Sequence, residues 1–340
     1  MNMLGGLAKT AIVFGVLTFL GTVRAGSPIP VTDCGQVLDV PAGEYVLTAS
    51  IGCSSDSPPV TIAANRIHLN TAGVTVYAIG DALAIKDGVS DILIDGGGSL
   101  IGGGGLTIGK DRHVIVRGVT LQGEDDLGGS ETGVVIDGAS DVTLTGCNIA
   151  GYQSVGVQMS DASQVTMIDN NIYGAYGVYG TVDRGVFATN SVTIVADTTF
   201  TGRGIALSGR GNFVADNSLI LEGSGSEGSG SVPAHDDVGV VVTNHSQVRG
   251  NFVNQFFFGV ELVGDSNQVV GNLITGRSMG PTPSSVNGIE TDAGARHNNI
   301  RSNLVSGNQA DLYESNGPPC VNVWRNNFYQ TSGGATPCIH

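Results

Sequence analysis

The stretch Gly239-Val240-Val241-Val242 returns as Gly259-Val260-Glu261-Leu262 and again as Gly288-Ile289-Glu290-Thr291, and this return decides the fold. Upstream the same phrase reads Gly133-Val134-Val135-Ile136, Gly156-Val157-Gln158-Met159, Gly185-Val186-Phe187-Ala188 and Gly204-Ile205-Ala206-Leu207. Each copy is a glycine followed by a short run in which alternate residues are apolar, the period of a strand with one buried face. Between copies lie a polar anchor (Ser90, Ser140, Ser163, Asn190, Ser246, Asn267, Asn298) and an Asn-apolar step at Asn148, Asn171, Asn251, Asn272, Asn303 and Asn327. A strand this short makes no stable sheet alone. Copies stacked ~4.8 Å apart satisfy one another's backbone and bury one continuous interior.

The sequence therefore predicts an all-β, single-domain right-handed parallel β-helix, a solenoid of about ten coils of roughly 20–35 residues. Val134, Ile136, Val157, Met159, Val186, Ile205, Leu207, Val240, Val242, Val260, Leu262 and Ile289 are expected to point inward. The recurrent asparagines fall at equivalent turns, where they tolerate left-handed backbone and bond neighbouring coils. No stretch after the N-terminal segment has the three-and-four spacing of an amphipathic helix. A β-sandwich accounts for strands but not for a phrase that returns seven times. Loops extruded from the coils are expected at about 174–183, 222–237 and 277–287, the first of them holding Tyr173, Tyr176 and Tyr179 at or beside its edge.

The N-terminus reads as a secretory signal. Lys9 precedes an apolar run from Ala11 to Leu20, and Val23 and Ala25 stand three and one residues before Gly26, so cleavage is expected after Ala25. The run is about half the ~20 residues a membrane span needs. Segments 1–25, 26–88 (N-terminal cap and first coils) and 89–340 (repeats with a C-terminal cap) follow. Loss of the leader removes two of 15 basic and none of 30 acidic side chains, taking the formal charge from −15 to −17. Such a surface repels nucleic acid and anionic lipid, and an anionic polysaccharide too unless cations or a local arginine cluster intervene. In an exported chain, Cys34 with Cys53 and Cys320 with Cys338 are natural local disulfides at the two ends, and Cys147 is left as a small buried apolar residue.

Cys34-Gly35-Gln36-Val37-Leu38, with Pro41, Gly43, Tyr45, Leu47, Thr48 and Cys53, resembles the opening of bacterial exported right-handed β-helix repeat proteins. Asn322, Trp324, Asn326, Asn327, Phe328, Cys338 and Ile339 look like the close of the same group, and the repeats between resemble the pectin-lyase-like superfamily, including NosD-like and mannuronan epimerase-like domains. The resemblance covers nearly all the mature chain and implies the fold. Its catalytic sets do not carry over: against the paired aspartates, Gly-His-Gly and Arg-Ile-Lys of polygalacturonases the chain offers only Glu124-Asp125-Asp126, and against the Asp-Pro-His-Glu of alginate epimerases only Pro233-Ala234-His235-Asp236. The characteristic arginine of pectate lyases has no counterpart.

A candidate site comes instead from the outward positions of the aligned strands: Val135, Gln158, Phe187, Ala206, Val241, Glu261 and Glu290, with Asp292 two residues further on. Arg184 and Arg203 precede matching glycines, and the 222–237 loop supplies His235, Asp236 and Asp237. Carboxylates about 5 Å apart raise one another's pKa or capture a cation, so Glu261, Glu290 and Asp292 are candidate ligands for Ca²⁺. The set Arg184, Arg203, His235, Asp236, Asp237, Glu261, Glu290 and Asp292 could also supply an acid and a base to a lyase, epimerase or glycosidase. A solvated acidic ladder that discourages edge association is the structural alternative. His113, His245 and His297 read as isolated surface residues. Three functions stay open: an extracellular module that binds a polysaccharide or surface glycan, a polysaccharide-modifying enzyme, and a structural or protein-binding solenoid.

Overall fold

The computed structural model describes residues 27–54, 57–123, 132–195, 202–222, 237–276 and 287–340. The leader, Glu124-Asp125-Asp126, His235, Asp236 and most of the 222–237 and 277–287 segments lie outside the described residues. The rest winds as a right-handed parallel β-solenoid of about 11 turns with essentially no helix. All strand pairings are parallel and join one coil to the next, as in Val240↔Val260 and Val260↔Ile289.

Each turn contributes strands to three faces. The first face runs through Gln36–Leu38, Val60–Ile62, Asp81–Ile85, Gly104–Ile108 and Thr132–Asp137, and continues to Arg203–Arg210, Val238–Asn244, Phe258–Leu262, Asn287–Thr291 and Ala310–Glu314. The second includes Ser140–Thr145, Val186–Ala188, Gln247–Arg249, Asn299–Arg301 and Val323–Arg325; the third includes Thr120–Gly123, Ser191–Val195, Phe252–Asn254, Leu273–Thr275 and Leu304–Ser306. The long strands Asn148–Ile168 and Asn171–Asp183 bend around corners and serve more than one face.

The interior is a column of aliphatic side chains. Of the twelve predicted inward residues, eleven are 0–2% exposed, and Val186 is the exception. Val186 is half-buried and its neighbour Phe187 is fully buried, because Gly185-Val186-Phe187-Ala188 belongs to the second face, where Phe187 pairs with Met167 and Val214. The coil's contribution to the first face is Tyr176–Thr181, with Val178 inward and Tyr179 outward. Residues 174–183 are thus strand rather than loop. This coil is short, so the glycine phrase recurs at its next corner and imitates the first-face pattern.

The first-face glycines are required by space. A Cβ on Gly133, Gly156, Gly177, Gly239 or Gly259 would stand 2.5–2.8 Å from the carbonyl oxygen of the matching glycine on the next coil. No side chain fits there without displacing backbone.

Two polar ladders cross the largely apolar interior. Asn170, Asn190, Asn217, Asn251, Asn272, Asn303 and Asn327 form one: each Oδ1 accepts the backbone N–H of the residue one coil earlier, and each Nδ2 donates to a backbone carbonyl. Asn148 and Asn171, expected in this series, lie one residue past it and bond each other at the surface. Cys147 heads the ladder, 2% exposed, its N–H bonded to Asn170; burial pushes its thiol pKa up, which suits an inert packing residue. The second ladder, Ser246, Asn267, Asn298 and Asn322, ends on Glu314. Disulfides Cys34–Cys53 and Cys320–Cys338, with Cα atoms 5.9 and 5.2 Å apart, tie the ends as the spacing implied.

Candidate functional site

Register on the first face places Val135, Gln158, Tyr179, Ala206, Val241, Glu261, Glu290 and Tyr313 in one outward column, each one coil from the next. Glu261 and Glu290 are neighbours, as the alignment predicts. Phe187 is replaced by Tyr179, which is 42% exposed. The tyrosines expected on a loop are strand residues: Tyr176 and Tyr179 share the first face with ring centroids 5.7 Å apart, and Tyr173 stands on the third face.

The arginines separate. Arg203 opens its first-face strand, in register with Tyr176 and Val238, and its Nε is buried with no protein partner. Arg184 sits on the corner turn between the first and second faces, its backbone left-handed at φ 57° and its N–H bonded to the carbonyl of Arg210. The expected match fails because Gly185, which follows Arg184, occupies a ladder position and bonds Asn212, whereas Gly204 belongs to the first-face glycine column. His245 and His297 occupy corner turns, and His113 pairs with Asp141 at 2.8 Å. Asp237 is 2% exposed and accepts the N–H of Gly202, so it closes a corner and presents no carboxylate to solvent.

Two zones lie end to end along the face. The first is a groove of about 380 Å³ lined by Gln158, Tyr179, Thr181, Arg203, Ser208 and Val241 among others. It offers an aromatic ring, hydroxyls, an amide and a guanidinium. The second, beginning one coil beyond Val241, is acidic. Asn287 donates to Glu290 at 2.7 Å, and Asp292 is hydrogen-bonded to Glu261. Burial pushes the Asp292 carboxyl above its ordinary range, and the Glu261 bond offsets part of that rise. Among the described residues no group of three or more His, Cys, Asp or Glu side chains is arranged to hold a metal ion.

Two buried acids escaped sequence reasoning. Asp111 occupies a position equivalent to the second ladder, accepts the N–H of Val89 through Oδ1, and leaves Oδ2 buried with no partner. Burial, with a contribution from Asp87, raises its pKa to about 6. Glu314 accepts from Thr291, Asn316, Asn322 and Trp324; burial alone would raise its pKa, but these bonds outweigh burial and hold it below the ordinary value. Both act on stability. The signal for Asp111 was its place just before a strand of the repeat, where later coils carry asparagine.

A family described as the right-handed beta helix region matches residues 49–336. A search of curated proteins finds no significant match. Solved structures align over most of the chain. The tailspike protein of Dettilon has a TM-score of 0.58 at 14% identity, covering 86% of this chain and 61% of the tailspike. DFA-IIIase from Arthrobacter chlorophenolicus A6 has a TM-score of 0.59 at 12% identity, covering 83% of this chain and 76% of its own. The same enzyme as a mutant in complex with DFA-III has a TM-score of 0.55 at 13% identity, covering 85% and 75%. The chain thus spans about three fifths of the tailspike. At these identities the likeness is one of fold.

Proposed function

The chain belongs to the right-handed β-helix family, and from that premise we propose that it is an exported carbohydrate-interacting protein whose ligand lies along the first face. The observation that carries this is the exposed ring of Tyr179 in a groove whose other walls are hydroxyl, amide and guanidinium groups. A sugar ring has apolar C–H faces that stack on an aromatic side chain and hydroxyl edges that need donors and acceptors. The β-helix neighbours support a carbohydrate ligand. Export is supported by the two disulfides, and no helix among the described residues is long and apolar enough to cross a membrane.

An enzymatic second reading is favoured by the Glu261–Asp292 pair. A carboxyl raised by burial beside a second carboxyl on the same surface supplies the two groups that general acid–base chemistry on a glycan uses. Incubation of the protein with alginate, pectin, a glycosaminoglycan and neutral glycans, with and without calcium, tests both. Retention of one glycan that Tyr179→Ala weakens about tenfold is the expected outcome. New reducing ends, unsaturated uronides or altered uronate stereochemistry, abolished by Glu261→Gln, would establish the enzyme. Failure to retain any glycan would refute the binding function.

A further inference from the structure

The corner between the second and third faces carries a pattern that the first-face site does not use. Four successive coils read Arg249-Gly250-Asn251-Phe252, Val270-Gly271-Asn272-Leu273, Arg301-Ser302-Asn303-Leu304 and Arg325-Asn326-Asn327-Phe328. The asparagine of each quartet turns inward as a ladder residue. The chain on either side of it is thereby fixed, one residue closing the second face and the other opening the third.

Strand register converts the quartets into two parallel columns. Arg249, Val270, Arg301 and Arg325 stack on one side of the corner, with the three guanidinium side chains exposed. Phe252, Leu273, Leu304 and Phe328 stack on the other, and Leu273, Leu304 and Phe328 are 39%, 49% and 70% exposed. Steps of ~4.8 Å per coil make a ridge about 14 Å long, parallel to the solenoid axis.

The charge here opposes that of the whole chain, which has 30 acidic and 15 basic side chains. On these coils Glu261, Glu290 and Asp292 are committed to the first face, Asp311 and Glu314 are buried, and Asp265 accepts the N–H of Arg296 at a different corner. Asp216 marks the N-terminal limit of the ridge, one coil before Gly250. Among the described residues the ion pairs involve Asp95 and Asp141, so none of the three ridge arginines has a carboxylate within 4.0 Å. Arg301 and Arg325 therefore stand one coil apart with no carboxylate of the described residues within 4.0 Å.

We propose that this corner is a second, independent binding ridge for an anionic polysaccharide laid along the solenoid axis. Guanidinium groups at multiples of the coil step, two steps from Arg249 to Arg301 and one from Arg301 to Arg325, pair with carboxylate or sulfate groups along the polymer, and the leucine and phenylalanine column covers the C–H faces of the same sugars. Arginine suits this role because it pairs bidentately and gives up its water readily. A linear cationic column flanked by an apolar one fits a periodic polyanion along its whole length. The ridge does not depend on the first-face groove for any of its residues.

The test is binding of the full chain to polygalacturonate, dextran sulfate and neutral dextran across a salt series. Comparison of the first two probes separates carboxylate from sulfate as the favoured anion. Wild type is expected to bind at least one polyanion and not neutral dextran. The double variant Arg301→Gln/Arg325→Gln should bind at least tenfold more weakly with a shallower salt dependence, and Phe328→Ser should also weaken binding. Arg66→Gln, remote from the ridge, should bind like wild type. All are surface changes, and an unchanged thermal midpoint confirms folding. Undiminished polyanion binding by the double glutamine variant, or equal retention on neutral dextran, would overturn the proposal. So would a dimer in sedimentation velocity that the same variants dissolve while no polyanion binds, since the ridge would then be a self-association surface.

Discussion

Asn272→Ala removes four hydrogen bonds in one step. Its Oδ1 accepts the backbone N–H and the side-chain Nδ2 of Asn251 at 2.9 and 3.0 Å, and its Nδ2 donates to the carbonyl of Val248 at 3.0 Å and to Oδ1 of Asn303 at 2.9 Å. Asn251 and Asn272 are at most 1% exposed, so water does not reach the stranded groups without local opening. An unsatisfied buried N–H costs about 1–3 kcal/mol and each of the three further bonds about 1 kcal/mol, so the variant should lose roughly 4–6 kcal/mol. Asn327→Ala is the internal comparison. That residue accepts the same pair of bonds from Asn303 but ends the ladder half-buried, where solvent can substitute, and about 1–2 kcal/mol is expected. Urea unfolding gives the global change. Because solenoids can unfold in segments, amide exchange at Asn251 should accompany it and show a protection loss of the same size. Equal costs for the two variants, or a cost below about 1 kcal/mol for Asn272→Ala, would refute the claim that the ladder stabilises the interior.

Asp111→Asn should stabilise the protein at neutral pH, because it removes a charge from a buried position where Oδ2 has no partner. With a native pKa of about 6 against an ordinary 3.8, the native state binds more protons than the unfolded state between those values, so wild-type stability falls as pH rises through that window. The variant should lack that slope in thermal melts from pH 4 to 7. Glu314→Gln places an amide against the donors of Trp324 and Asn322, and should cost about 2–4 kcal/mol in denaturant unfolding at pH 7. The wild-type Glu314 contribution is present above the ordinary glutamate pKa and is lost as pH falls through the depressed native value, so the gap should shrink in acid. Gly239→Ala drives a methyl to within 2.6 Å of the Gly259 carbonyl and should cost about 1–3 kcal/mol, whereas Gly52→Ala, with open space around it, should stay within about 0.5 kcal/mol. Thermal midpoints of the pair would decide between close backbone approach and mere composition as the reason for the glycine column.

Much of the candidate site was legible because strand alternation is local. Once Gly259-Val260-Glu261 and Gly288-Ile289-Glu290 share a phrase, the outward pairing of Glu261 and Glu290 follows, and Asp292 falls two residues further on the same surface. Tyr179 was expected on a loop rather than in the outward column, although Gly177-Val178-Tyr179 has the phrase spacing, because Gly185-Val186-Phe187 has it too. A coil that runs only from Asn170 to Asn190 brings both glycine corners close together in sequence, and local pattern does not say which corner belongs to which face. The same ambiguity put Arg184 beside Arg203. It also moved the first ladder by one residue at the Asn170-Asn171 doublet, where either asparagine could be the inward one.

Local pattern along the chain specifies a parallel β-solenoid, all but one of the twelve aliphatic residues expected in its interior, and the four cysteines that close its two ends. These depend on period-two alternation, repetition and short separations, all of which are written along the chain. Only the tertiary structure decided which coil lies against which, and so placed Tyr179 with Arg203, turned Asp111 and Glu314 inward, and gathered Arg249, Arg301 and Arg325 on one corner. Coils differ in length, so residues far apart in sequence become neighbours through backbone pairing between turns, and that register is a property of the stacked whole.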